Sequence, residues 1–160
     1  MGMRILGIDP GTGILGFGVI DVAKGKYTMV DAGVIRTPAH TPHDQRLEDI
    51  YDGLREIIAQ SKPDICVIEK LFFTRNITTA MSVAEARGVA ILTARQSSIP
   101  IVEYTPMQIK QTITGYGKAD KKQVQEMVRV QLSLKEVPKP DDCADALAAA
   151  ITHAAMTRVV

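Results

Sequence analysis

The chain has 160 residues, 46% of them hydrophobic and 23% charged, with a formal net charge of +1. That is one domain's worth of sequence, able to bury a core without disulfide or metal staples. No apolar run reaches the length of a membrane span, and Cys66 and Cys143 lie far apart outside any C-x-x-C spacing. A membrane protein, a disulfide scaffold and a cysteine zinc site are therefore excluded. Met1-Gly2-Met3-Arg4 runs straight into an apolar strand without the parts of a signal peptide, so a cytoplasmic protein is expected.

The net charge says little about partners, but its distribution says more. Between Asp44 and Glu56, five carboxylates stand against Arg46 and Arg55. Between Lys110 and Lys122, four lysines stand against Asp120 alone. Each run, taken singly, reads as a solvated face.

No repeat, linker or low-complexity segment divides the chain, so residues 1–160 are read as one domain. Arg4 to Asp9 is a strand and Pro10-Gly11-Thr12-Gly13 its turn. Ile14 to Ile20 resumes strand character, with Gly16 and Gly18 as weak spots. Lys26 to Ile35 follows the Lys24-Gly25 turn. Short connections make these three an antiparallel meander. Leu47, Ile50, Tyr51, Leu54, Ile57 and Ile58 keep helical spacing until Pro63 stops the helix. Ile65 to Ile68 is a buried-type strand ending at Glu69, and a helix between two strands implies parallel pairing. A helix over 80–94 is apolar on more than one side, which asks for cover on two sides, the second from a partner subunit. Ile101 to Tyr104 is a further strand. Thr105-Pro106-Met107-Gln108 and Asp120-Lys121-Lys122-Gln123 read as capping boxes opening two helices. A last helix runs from about Asp141 through the alanines to Met156. The order βββαβαβααα predicts an α/β fold: a mixed five-stranded sheet, an antiparallel meander then parallel strands, with helices on both faces.

Four carboxylates stand out from this layout. Asp9 and Glu69 end two strands, and if those strands are adjacent and parallel both acids project from one sheet edge, where ligands gather in such sheets. Asp142 and Asp145, three residues apart, share one face at the start of the last helix. Asp9 is also a good turn former and Asp142 a good helix cap. Asp145 is harder to explain as structure, since it lies among Cys143, Ala144, Ala146, Leu147 and Ala148, and a carboxylate buried there needs a partner. Clustered carboxylates repel unless cations hold them. Hard oxygen donors suit Mg2+ or Mn2+ rather than zinc. Two such ions form the clamp used in phosphodiester cleavage, one activating water and the other steadying the leaving oxygen.

Two glycine motifs compete with this reading. Gly11-Thr12-Gly13-Ile14-Leu15-Gly16 matches a dinucleotide fingerprint, with Asp31 downstream, but a strand rather than a helix follows it, so it is rejected. Gly7 to Thr12 resembles the first phosphate loop of actin-like ATPases and sugar kinases. Those proteins place ATP between two such domains, and one domain of this length supplies only half.

Five segments taken together carry a closer resemblance: Ile5 to Gly11, Val67-Ile68-Glu69, Glu85 to Ala90, Gln108 to Thr112, and Asp142 to Ala148. In this order they resemble the RuvC family, the bacterial Holliday-junction resolvases or crossover junction endodeoxyribonucleases, over nearly the whole chain. The resemblance implies an RNase H-like fold and catalytic, metal-holding acids at Asp9, Glu69, Asp142 and Asp145, with two Mg2+ or Mn2+ ions per site. Some members carry histidine where this chain has Asp142. Lys110 and Lys121 match family lysines at the scissile region, with Lys122 beside them leaving the register open. Phe72 matches an aromatic that stacks on bases near the crossover, as aromatic faces do with unpaired bases; Phe73 is its neighbour. The resemblance further implies four-way junction DNA as substrate, symmetric nicks leaving 5′-phosphate and 3′-hydroxyl ends, and a role in recombination and repair. It also implies a homodimer and work with a RuvA–RuvB branch-migration complex. The helix around Met81 to Leu92 is the expected dimer face. The chain ends at Val160 without the basic tail of some relatives. His153, two turns beyond Asp145, is expected in the core or on the surface rather than in the site. A related nuclease acting on structured RNA and an actin-like ATP-binding half-domain are the alternatives.

Overall fold

The computed structural model describes residues 2–11, 13–70 and 77–157. Three strands come first: β1 (Met3–Asp9), β2 (Ile14–Ala23) and β3 (Lys26–Arg36). Then follow α1 (His43–Ser61), β4 (Ile65–Glu69), α2 (Ile77–Gln96), β5 (Ile101–Tyr104), α3 (Pro106–Thr114), α4 (Lys121–Gln131) and α5 (Asp141–Thr157). The sheet order is β3-β2-β1-β4-β5. β1–β2 and β2–β3 pair antiparallel, and β1–β4 and β4–β5 pair parallel. This is the predicted mixed sheet, with the RNase H-like arrangement.

Alternation along the strands creates two cores. Ile5 and Val67 face α3, α4 and α5 on one side of the sheet, where Val128, Leu147 and Ile151 pack against them. Leu6, Ile8, Cys66 and Ile68 face α1 and α2 on the other, meeting Ile50, Leu54, Ala86 and Ala90. Fully burying one such leucine or isoleucine is worth about 1.5–3 kcal/mol.

The ends of the helices follow local chemistry. Ser61 closes α1, Lys62 turns left-handed at φ 50°, and Pro63 prevents continuation. The N–H of Gln108 donates to Thr105 Oγ1 at 3.0 Å, and the N–H of Thr105 donates to Gln108 Oε1 at 2.8 Å. Asp120 and Gln123 repeat the exchange at 2.9 Å in both directions. These boxes fix the starts of α3 and α4, and with them Lys110 and Lys121. α2 is longer than the predicted 80–94 at both ends. Its apolar residues lack a helical period, so the pattern marked only its centre.

α5 is the central helix. Its alanines at 144, 146, 148, 149 and 150 are all buried, so the helix lies close on the sheet. Gly7 and Gly16 complete the fit. A Cβ on Gly7 would stand 2.0 Å from the carbonyl oxygen of Ala146. Gly16, read from sequence as a strand weakness, is the seat of the α5 N-terminus.

Candidate active site

β1 and β4 are adjacent and parallel, with Ile8 opposite Ile68. The next residue on each strand is Asp9 and Glu69, so the two acids leave the sheet side by side. α5 crosses the same edge and delivers Asp142 from its first turn and Asp145 one turn further on. Helix α4 delivers Lys121 from its first residue. Its ammonium lies 3.6 Å from Asp145 Oδ2 and 3.8 Å from Asp141 Oδ2. Asp145 thus has the partner its half-buried position requires. The contact to Asp141 was missed from sequence, where Asp141 served only as the start of the last helix; its spacing of four from Asp145 was the available signal.

The electrostatics record how closely these groups crowd. Burial, then the charges of Asp145, Glu69 and Asp142, push Asp9 up to about 8, against the pull of Lys121. Burial and Asp145 also raise Glu69, opposed by Lys110 and Lys121. Asp145 is raised by burial despite Lys121. Lys121 is raised in turn, first by Asp145. A cleft of about 260 Å³ opens beside the acids, lined by Glu69, Asp145, Lys110 and Lys121 over a floor of Ile109 and Ala148.

The neighbouring lysines part company. Lys122 lines a separate groove with Tyr116 and Gln123, on the far side of the turn before α4. His153 is buried, with Nδ1 2.8 Å from the hydroxyl of Tyr104. It belongs to the core. Phe72 and Phe73 lie outside the described residues.

The donor set suits a hard divalent cation: four carboxylates, no sulfur, and a mostly buried acid that only a positive charge would keep ionised at neutral pH. Among the described residues no three His, Cys, Asp or Glu side chains close around a single point. The carboxylates stand open, with Lys121 supplying the local positive charge.

The family model described as "Crossover junction endodeoxyribonuclease RuvC" matches residues 5–153. A protein of that name from Chloroflexus aurantiacus is 51% identical over 152 residues, covering 95% of this chain and 93% of the relative. Its namesake from Brevibacillus brevis is 54% identical over 152 residues, covering 95% and 92%. Among solved structures, RuvC of T. thermophilus in complex with a Holliday junction substrate superposes with a TM-score of 0.92 at 38% identity, covering 98% of this chain and 95% of that one.

Proposed function

The chain belongs to the RuvC family of crossover junction endodeoxyribonucleases, and on that premise we propose that it resolves four-way DNA junctions by paired metal-dependent nicks. The carrying observation is the convergence of Asp9, Glu69 and Asp145 at one sheet edge with Lys121 against them. Asp9, Glu69, Asp142 and Asp145 are the residues that would hold two Mg2+ or Mn2+ ions. When bound, those ions supply a water of lowered pKa and a counter-charge for the leaving oxygen.

The chain's own groups do the rest. Lys110 and Lys121 line the cleft, which supports their gripping the non-bridging oxygens of the scissile phosphate. Water oxygen bonds to phosphorus as the bond to the 3′ oxygen breaks. The 3′ oxygen takes a proton, leaving a 3′-hydroxyl and a 5′-phosphate. Asp9 holds a proton at neutral pH while the site is without cations, because burial and three neighbouring acids disfavour its charge.

α2 offers the surface for a second copy. Ile77, Met81 and Leu92 are 70%, 60% and 52% exposed, and they share one stripe of the helix. A two-fold pair would set two sites against a two-fold substrate. Phe72 is proposed to stack on bases at the crossover, and Lys122 to touch the backbone outside the cleft. RuvA–RuvB as a partner, recombination and repair as the setting, and the cytoplasm as the place are part of the proposal, supported by membership of the family. No described helix is long and apolar enough to cross a membrane.

The test is cleavage of a synthetic four-way junction in Mg2+ and in Mn2+, beside linear duplex and structured RNA. Symmetric cuts in the junction alone, lost in Asp9→Asn, support the proposal. Cuts in the RNA alone, or none in either metal, overturn it.

A further inference from the structure

A second groove lies on the other flank of Asp9, and the lysines play no part in it. β3 runs parallel to β1 two strand spacings away, and both end at the same sheet edge. Asp9 is level with Gly16 on β2, and Gly16 with Val34 on β3. Arg36 is therefore two residues further out than the catalytic row, roughly 10 Å to the side. Beside it a groove is lined by Gly13, Ile14, Thr37, Pro38 and Arg46.

Arg36 and Arg46 both line this groove, and among the described residues no carboxylate does. Arg46 is fixed, donating to the carbonyls of Thr41 at 3.2 Å and Pro38 at 3.3 Å. Arg36 is exposed, and its side chain makes no hydrogen bond or ion pair among the described residues. A groove lined by two arginines, with no counter-ion among the described residues, is open to a bound anion. Guanidinium presents a planar fork suited to phosphate oxygens.

We infer that the Arg36–Arg46 groove binds a backbone phosphate of the nucleic acid whose scissile phosphate lies at Asp9. This rests on the DNA-cleaving reading above. The groove therefore lies within a few nucleotides of the scissile phosphate along the strand. The strand would then be gripped on both flanks of the cut, by lysines on the β4 side and by arginines on the β3 side. Arg46 sets the position and Arg36 closes on the ligand.

The test is binding of a fluorescent four-way junction in EDTA, so that no strand is cut, across a range of salt. The proteins are the unmodified chain, Arg36→Gln, Arg36→Lys and Lys24→Gln. Lys24 lies in the β2–β3 turn at the opposite end of the sheet and controls for net charge. Arg36→Gln should weaken binding about 3- to 10-fold and lower the slope of log affinity against log salt by about one, with Arg36→Lys restoring the slope. A methylphosphonate within a few nucleotides of the cut should weaken binding by the unmodified protein and add nothing to Arg36→Gln. Affinity and slope for Arg36→Gln equal to those of Lys24→Gln would overturn the inference while leaving junction recognition standing. Failure of the unmodified chain to bind the junction would overturn both.

Discussion

Gly16 lies directly under the backbone of Asp142: a Cβ there would sit 2.1 Å from the Asp142 carbonyl oxygen. The obstacle is backbone, so no rotamer change relieves it. The same helix turn carries two of the four acids. Gly16→Ala should therefore lift the start of α5, costing at least about 1–3 kcal/mol of stability and moving Asp142 and Asp145 away from Asp9. Urea unfolding and junction cleavage should fall together. Unchanged cleavage with full stability would show that α5 does not depend on this approach.

Removing Lys121 takes away the charge that holds Asp145 and opposes the rise of Asp9. Lys121→Ala should lower the cleavage rate on the order of 100-fold, the usual scale for one lost electrostatic donor at a reacting phosphate. The alkaline shift of the acids should push the pH–rate profile upward. Lys122→Ala, in the other groove, should leave the profile in place and weaken binding only several-fold. Single-turnover rates against pH separate the two.

Much of the site was legible in the sequence because strands announce themselves. Ile5 to Ile8 and Ile65 to Ile68 are apolar runs, each ending in an acid, and parallel pairing then sets Asp9 beside Glu69. Asp145 was legible as a carboxylate with no apolar excuse for its place. Other features needed the fold. Lys121 and Lys122 differ by about a third of a helical turn, and only the packing of α4 decides which meets Asp145. Gly16 looked like a flaw in β2, because no sequence pattern says that a helix will press on it. Arg36 and Arg46 lie on different elements, and nothing local shows that they share a groove. The ends of α2 were missed for want of a period.

The metal-free chain should lose stability as pH rises. Asp9 in the folded chain titrates near 8 against an unfolded value of 3.8. Between those values the folded state binds more protons than the unfolded one, so stability falls with rising pH and levels off above about 8. Glu69 and Asp145 act in the same direction at the acid end. The unfolding free energy from urea titrations in EDTA should therefore drop from pH 6 to pH 8, on the order of 2 kcal/mol. Asp9→Asn should flatten most of that drop. Millimolar Mg2+ should also reduce it, if the acids hold the cation as proposed. A midpoint that is flat in EDTA would mean Asp9 is solvated and ionised throughout.

The exposed stripe on α2 predicts how the two cuts are linked. Ile77, Met81 and Leu92 leave apolar area in water on a helix whose opposite side, at Ala86, Ala90 and Ala94, is already buried in the core. A charge placed at Met81 would have to be desolvated in a dimer but stays hydrated in a monomer, so it penalises association alone. Met81→Glu should fold with unchanged thermal stability at low concentration, yet sediment as a monomer where the unmodified chain sediments as a dimer. Its acids remain intact, so any residual cleavage should appear as single, uncoupled nicks on a plasmid-borne junction. Paired cuts from a protein shown to be monomeric would place the second active site somewhere other than across α2.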